Sequence, residues 1–318
     1  MPAISVLVPI FNVEFFLEQC LNSIKYQTFK DFEVICINDG STDNSLEIIN
    51  KFVKIDKRFK LINKKNSGYG HSMNLGLDYS SGDYIAIVES DDYIEINMLE
   101  TLYNMAIQNN LDVARCNYYE CINENRKKVD LSYIPENVVT KPVNDIIIFY
   151  QAPSIWVNLY RRPFLIDNKI KFLETPGASF QDTSFIFKVY ALCERFMFIN
   201  IPLLNYRLDN SNSSVHNENK IFCVCDEYHE ILTFIKKKTD IYELLKFHIP
   251  KLRYSCYAWN FSRIKQRDKM KFLKIWQKDV IEDFSEGRVN RKFLKDNELK
   301  KMKIIKYFPF LYKYRKAL

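Results

Sequence analysis

Hydrophobic positions in the first part of the chain follow two periods in alternation. Residues 4–8 form a continuous apolar run, the pattern of a strand buried on both faces, and Pro9 is expected to end it because proline offers no ladder donor. Past Phe11 and Asn12 the period lengthens. Leu17, Cys20, Leu21 and Ile24 fall at i, i+3, i+4 and i+7, which predicts a helix with one buried face. The unit then repeats: 32–37 reads as strand, 38–43 as turn, and Leu46, Ile49 and Val53 as a helical stripe, with Asn44 and Glu47 spaced for a capping pair. A third strand at 59–62 runs into a glycine-containing loop, 66–74. A fourth at 84–88 breaks off into Glu89, Ser90, Asp91 and Asp92, and Leu99, Leu102, Tyr103 and Ala106 form the next helical stripe. Residues 112–117 predict a fifth strand. Strands alternating with helices at this spacing predict an α/β fold: a Rossmann-like, mostly parallel central sheet with helices on both faces. Such a sheet lines up Pro9 to Asn12, Asp39, Asn66 to Asn74 and Glu89 to Asp92 along one edge, where open α/β sheets bind ligands.

Composition adds further constraints. At 318 residues and 47% hydrophobic content the chain is long enough for a large α/β domain with an extension, or for two domains. Charge divides it: residues 1–218 carry 21 Lys/Arg against 27 Asp/Glu, and residues 219–318 carry 25 against 12. An acidic first domain, 1–218, with donor-side and acceptor-side halves meeting near residue 110, and a basic helical C-terminal region, 219–318, are expected. The eight cysteines are scattered without a Cys-x-x-Cys motif, as in reduced, buried thiols, and the Cys223/Cys225 pair lacks the further ligands of a zinc site. No apolar run approaches the ~18–20 residues of a membrane span, and no signal peptide is evident, so a cytoplasmic location is expected.

Three carboxylates at one strand end repel each other unless a cation or cationic ligand neutralises them. Their oxygen-only chemistry suits Mg²⁺ or Mn²⁺. A solvated turn capping the next helix is the alternative. The first loop, Val8-Pro9-Ile10-Phe11-Asn12, has no glycine, which excludes a dinucleotide fingerprint and a P-loop and disfavours a sugar-nucleotide pyrophosphorylase.

With these pieces in order, the chain resembles the family 2 glycosyltransferases of the GT-A fold. The matching segments are Ile4 to Asn12, Ile37 to Asp43, Asn66-Ser67-Gly68 with Asn74-Leu75-Gly76, and Glu89 to Asp92, spread over roughly the first 110 residues. The resemblance implies that Pro9 and Phe11, with Asn12, line a nucleotide pocket and that Asp39 accepts a hydrogen bond from the base, typically uracil; an Asx turn with Gly40 is the alternative. It places Asn66, Gly68 and Asn74 near the nucleotide and diphosphate, Asp91 on the metal bridging that diphosphate, and Glu89 and Ser90 beside it, with Asp92 as a further metal ligand. Glu89 stands where the family more often has aspartate.

On the acceptor side the resemblance implies that Asp182 is the general base, at a helix start followed by the stripe Phe185, Val189 and Leu192. An ordinary helix-capping aspartate is the alternative. Gln181 replaces the usual glutamate before it, and losing that charge is expected to lower the base's pKa slightly. Arg207 and His216, around a Ser/Asn-rich loop, are expected to close over the diphosphate, with His216 a candidate metal ligand or a surface residue. Trp156 is a candidate platform for an acceptor sugar or a core tryptophan, and Arg161 and Arg162 are acceptor contacts or surface residues. From Leu299 to Leu318 seven Lys/Arg and no acid interleave with Ile304, Ile305, Tyr307, Phe308, Phe310, Leu311 and Tyr312. That mixture fits an anionic membrane face, a helix docked on the catalytic domain or a homodimer contact.

The resulting expectation is an inverting, metal-dependent glycosyltransferase on the inner face of the cell membrane. It would move a sugar from a nucleotide-sugar, UDP-sugar favoured, to a glycan or lipid-linked glycan of a bacterial surface polysaccharide, capsule or lipopolysaccharide. The rival readings are a silent nucleotide-sugar-binding protein and a nucleic-acid or membrane binder acting through the basic tail; no nucleic-acid partner is expected.

Overall fold

The computed structural model describes residues 1–123, 125–210 and 220–314. The chain divides into two compact units, residues 1–213 and 214–318. In the first, β1 (Ile4–Ile10), β2 (Phe32–Asn38), β3 (Phe59–Asn63) and β4 (Tyr84–Ile87) pair in parallel, joined by α1 (Glu14–Lys25), α2 (Ser45–Ile55) and α3 (Tyr69–Tyr79). The chain continues through β5 (Tyr93–Ile94), α4 (Met98–Gln108), β6 (Val113–Ile122), β7 (Asn125–Lys128), β8 (Asn158–Arg161), α5 (Arg162–Asp167), α6 (Gln181–Leu192) and β9 (Phe196–Arg207). The sheet runs β3-β2-β1-β4-β8-β6-β9-β5, with β7 on β6. Its first half is wholly parallel; β8 enters antiparallel to both β4 and β6, and β5 antiparallel to β9, so the second half is mixed.

Strand alternation supplies helices to both faces. Ile4, Val6, Val8 and Ile10 join one buried cluster with Leu17 and Leu21 of α1, Ile49 of α2 and Leu102 of α4. Leu7 and Ile37 point the other way, to α3, where a Cβ on Gly76 would lie 3.1 Å from the Ile37 side chain. A side chain at position 76 would push that Ile37 tip aside by a few tenths of an ångström.

Three local expectations are corrected. Pro9 does not end its strand, which continues to Ile10 opposite Asn38. The Ile10 carbonyl accepts from Asp39 on the β2 side and the Leu7 carbonyl accepts from Val88 on the β4 side. Alternation thus turns the Pro9 nitrogen toward β4, beyond that strand's last residue, where no ladder donor is needed. Asn44 does not pair with Glu47: its amide donates to Glu14 (2.5 Å), while Asp43 accepts from the Ser45 N–H (3.0 Å). The fifth expected strand extends to Ile122, because β9 flanks β6 as far as Cys121.

The second unit is helical: α7 (Cys223–Lys236), α8 (Thr239–Leu245), α9 (Ile249–Arg263), α10 (Lys269–Ser285), α11 (Asp296–Tyr307) and α12 (Pro309–Tyr314). Trp276 is its buried hub, ringed by Tyr254, Tyr257, Phe261, Phe272 and Tyr312. Below it lies a buried ionic network. Asp283 accepts from Arg253 and from Arg288 Nε (2.8 Å), and Asp279 accepts from the Tyr257 hydroxyl (2.8 Å) and pairs with His229 (3.1 Å). Among the described residues no helix is long and apolar enough to cross a membrane.

Candidate functional site

Past β4 the chain leaves the sheet and turns through Glu89 to Asp92. The Asp92 N–H closes the turn on the Glu89 carbonyl (3.0 Å), and the two-residue β5 then docks on β9. This places the four side chains differently. Asp92 is 1% exposed and its Oδ1 accepts the Arg207 backbone N–H (2.8 Å), so that oxygen is turned to β9. Its Oδ2 has no hydrogen-bond partner among the described residues. Asp91 is half-buried and accepts from the Asn210 amide (2.8 Å). Ser90 is buried, and Glu89 accepts a hydrogen bond from the Tyr69 hydroxyl (2.6 Å).

Asp182, far along the chain, comes to the same edge as the second residue of α6. Four carboxylates meet electrostatically there. Burial, with the charges of Asp91 and Asp182, pushes the Glu89 carboxyl up to about 8 against the opposing Tyr69 hydrogen bond. Burial and then Asp91 push Asp92 well above the usual range. Burial pushes Asp182 up to about 6. The nearby Tyr206 hydroxyl is pushed up by burial and then by Asp92, Asp91, Asp182 and Glu89 together.

Burial dominates at Asp182 and raises its pKa. The Gln181 amide instead braces the turn before α6, where its Oε1 accepts the Ser179 N–H (2.5 Å) while its Nε2 donates to Thr175 Oγ1 (2.8 Å) and the Gly177 carbonyl (3.1 Å). An amide supplies both the acceptor and the donors, and an ionised glutamate would lose the donating half.

The turn that carries the approach to Asp182 is locked to α3. A Cβ on Gly68 (φ 92°) would sit 2.8 Å from the Gly177 nitrogen, and one on Gly70 would sit 2.1 Å from the Leu173 carbonyl oxygen. The Tyr69 N–H donates to Gly177 (2.9 Å). Asn74, expected beside the diphosphate, is buried with its amide donating to the Phe172 carbonyl (3.0 Å) and Glu174 (2.8 Å) and its oxygen accepting the Phe172 N–H (2.8 Å). Its side chain is committed to joining the two segments.

Asp39 is buried and accepts the N–H groups of Ser67 (2.8 Å) and Gly68 (3.0 Å) and the Lys64 ammonium. It shapes the 64–68 loop rather than forming the Asx turn with Gly40. Gly40 (φ 74°) lets that loop approach, since a Cβ there would lie 2.8 Å from the Asn66 nitrogen. Pro9 is buried; Phe11, Asn12 and Asn66 are exposed on the same edge, and Asn12 (φ 51°) accepts the Thr42 N–H (2.8 Å).

Trp156 is half-buried, stacked on Tyr206 (5.0 Å, 8°) and edge-on to Tyr118 (4.7 Å), so one ring face is already covered. The Arg207 guanidinium lies against Phe16 (5.2 Å) and Tyr93 (4.9 Å) and donates to Gln19. Arg161 pairs with Asp112 (2.6 Å) and Arg162 donates to Ser80 (3.1 Å). His216 lies outside the described residues. Among those described, no group of three or more His, Cys, Asp or Glu side chains is arranged to hold a metal ion. Sequence reasoning missed Tyr69, Lys64 and Tyr206. Tyr69 lies inside the stretch read as a glycine-containing loop and is the first residue of α3; Lys64 and Tyr206 carry no signal in the local pattern.

Residues 5–190, more than half of the chain, match Glycosyl transferase family 2. The chain is 33% identical over 244 residues to the glycosyltransferase GlyA of Streptococcus pneumoniae, covering 73% of this chain and 34% of that protein. It is 33% identical over 223 residues to the uncharacterized glycosyltransferase EpsJ of Bacillus subtilis, covering 67% of this chain and 62% of the other. The chain thus spans about a third and under two thirds of the lengths of these two relatives. In three dimensions it superposes on the crystal structure of Staphylococcus aureus TarS with a TM-score of 0.77 at 21% identity, over 98% of this chain and 88% of that one, and so shares its fold.

Proposed function

Because the chain belongs to glycosyl transferase family 2, we propose that it moves a sugar from a nucleotide-sugar to a hydroxyl of a glycan or lipid-linked glycan, inverting the anomeric centre. The observation that carries this reading is the meeting of Asp182 with Glu89 and Asp91 at one sheet edge, each of Glu89 and Asp182 held above its usual proton affinity. A UDP-sugar is the favoured donor. S. aureus TarS, whose fold this chain shares, has been solved with UDP-GlcNAc and with UDP.

In the proposed reaction Asp182 takes the acceptor hydroxyl proton as that oxygen attacks the anomeric carbon from the side opposite the nucleotide. The bond to the diphosphate breaks, and its electron pair leaves with the nucleotide. A base near 6 is ionised at neutral pH yet still basic enough to assist. Glu89, holding its proton to about pH 8, offers a diphosphate a neutral neighbour instead of another negative charge. Tyr69 fixes that side chain.

A divalent cation fits the hard oxygen chemistry and unbalanced charge of this edge, to which the unpartnered Asp92 Oδ2 adds. Asp91 would hold Mn²⁺ or Mg²⁺ together with the sugar donor's diphosphate, with His216 as a further candidate. Such an ion supplies charge neutralisation to the departing diphosphate. Asp39 and the loop it shapes, with Pro9, Phe11, Asn12, Asn66 and Gly68, would receive the nucleotide. The acceptor side would draw on Trp156, Arg207 would close over the diphosphate, and Ser90 and Asn74 support the two walls. The enzyme would work at the cytoplasmic face of the membrane.

The test is the thermal midpoint of the protein with UDP, GDP, CMP and dTDP, each with and without Mn²⁺. UDP with Mn²⁺ is expected to raise the midpoint by mass action, and Asp91→Asn to abolish the metal-dependent part. No rise with any nucleotide would overturn the reading.

A further inference from the structure

The C-terminal unit ends in a two-helix corner whose two sides have different fates. Leu299, Met302 and Ile305 of α11 are buried, and Tyr312 of α12 packs edge-on to Trp276 (5.1 Å) and Phe261 (5.5 Å). Turned away from that core, Tyr307, Phe308, Phe310 and Leu311 are 61%, 53%, 50% and 46% exposed. The rings form one patch, with Phe308 6.5 Å from Tyr307 and 6.4 Å from Phe310 between centroids. Helical spacing puts Lys300 and Lys303 on the face of Tyr307, seven and four residues before it, and both are exposed. No acidic residue follows Glu298. Large apolar side chains clustered in water mark an interaction surface rather than a packed core.

We propose that this corner docks on an anionic bilayer, the rings entering the headgroup region while Lys300 and Lys303 meet the lipid charges. Charge complementarity selects this occupant. A second copy of the same corner would bring lysines against lysines, whereas an anionic lipid surface presents opposite charge outside and an apolar medium just beneath. Insertion is shallow, since no described helix is long and apolar enough to span. The inference stands apart from the transfer chemistry, because its residues lie in the helical unit and not at the carboxylate edge.

The test is flotation of the full chain with phosphatidylcholine vesicles, with and without phosphatidylglycerol. Co-flotation with the anionic vesicles alone, weakening as salt is raised, is expected. The surface variant Lys300→Gln/Lys303→Gln should weaken it by about fivefold per lysine, and Tyr307→Ser/Phe308→Ser/Phe310→Ser should remove it. The lysine variant touches no buried side chain, so it decides the matter even where the aromatic variant fails to fold. Absence of flotation, equal binding to neutral vesicles, or undiminished binding by the lysine variant would overturn the proposal. So would elution as a dimer that the aromatic variant converts to monomer. The nucleotide-dependent thermal shift, measured on the same variants, reads the sugar-donor site separately.

Discussion

Two sets of buried carboxylates sit in opposite electrostatic settings. In the helical unit burial pushes Asp279 up, but the His229 hydrogen bond, the Arg253 charge and the Tyr257 hydroxyl together bring it below its usual range. Beside it, Asp283 lies between two buried guanidinium groups, Arg253 and Arg288. At the sheet edge of the first unit, Glu89, Asp92 and Asp182 are instead pushed up, and no lysine or arginine side chain hydrogen-bonds to any of them among the described residues. Burying charges without partners is unfavourable, so a fold retains them where a ligand or metal supplies the missing charge. The first set holds the structure; on the proposed function, the second is kept for chemistry.

The largest expected break comes from Asp182→Asn. Turnover should fall on the order of 10²–10⁴-fold, the usual worth of a general base, while the UDP-dependent thermal shift survives. Near wild-type transfer, or a product of retained anomeric configuration, would remove Asp182 from the mechanism.

Next in size is the paired set. Asp283→Ala leaves Arg253 and Arg288 buried without their shared carboxylate, and should cost about 3–5 kcal/mol in urea unfolding. A cost near zero would show that the helical network is no more structural than the carboxylates at the sheet edge.

The smallest effect is the most discriminating, because the two sets respond to pH with opposite sign. In the proposed reaction transfer requires ionised Asp182, so its rate should climb as pH rises through about 6, and a flat profile there would contradict the assignment. For stability, the raised folded-state values of Asp182 and Glu89 mean that their contribution is complete at acidic pH. It is lost as pH rises through about 6 and then about 8. Asp279 is lowered in the folded state, so its contribution is complete above the ordinary carboxylate range and lost as pH falls through its depressed value. Urea titrations across this range, with and without UDP and Mn²⁺, separate the two. Bound ligand should recover the alkaline loss and leave the acidic one unchanged.

Much of this is legible in the linear chain. Leu17, Cys20, Leu21 and Ile24 are the buried residues of α1, as their spacing predicts. The acidic turn does follow a buried strand, and the family resemblance agrees with the match over residues 5–190. The departures share a cause. Local pattern at Pro9 and the resemblance at Asn74 assign what such residues usually do, but Pro9 is decided by the place where a neighbouring strand ends and Asn74 by partners outside its own segment. Asn74 bonds Phe172 and Glu174, across a sequence gap no local period encodes. In the tail, Leu299, Met302 and Ile305 are inside while Tyr307, Phe308, Phe310 and Leu311 are outside.

What the chain specifies locally is therefore its backbone grammar: periods of two and 3.6, glycines where segments must approach, acids where a strand stops. Those follow from covalent spacing and from the sorting of apolar residues away from water. Folding in three dimensions settled which acids share a site and which are neutralised. Burial and Coulomb interactions depend on separation in space, and Asp182 meets Glu89 only after β8, α6 and β9 have closed the second half of the sheet.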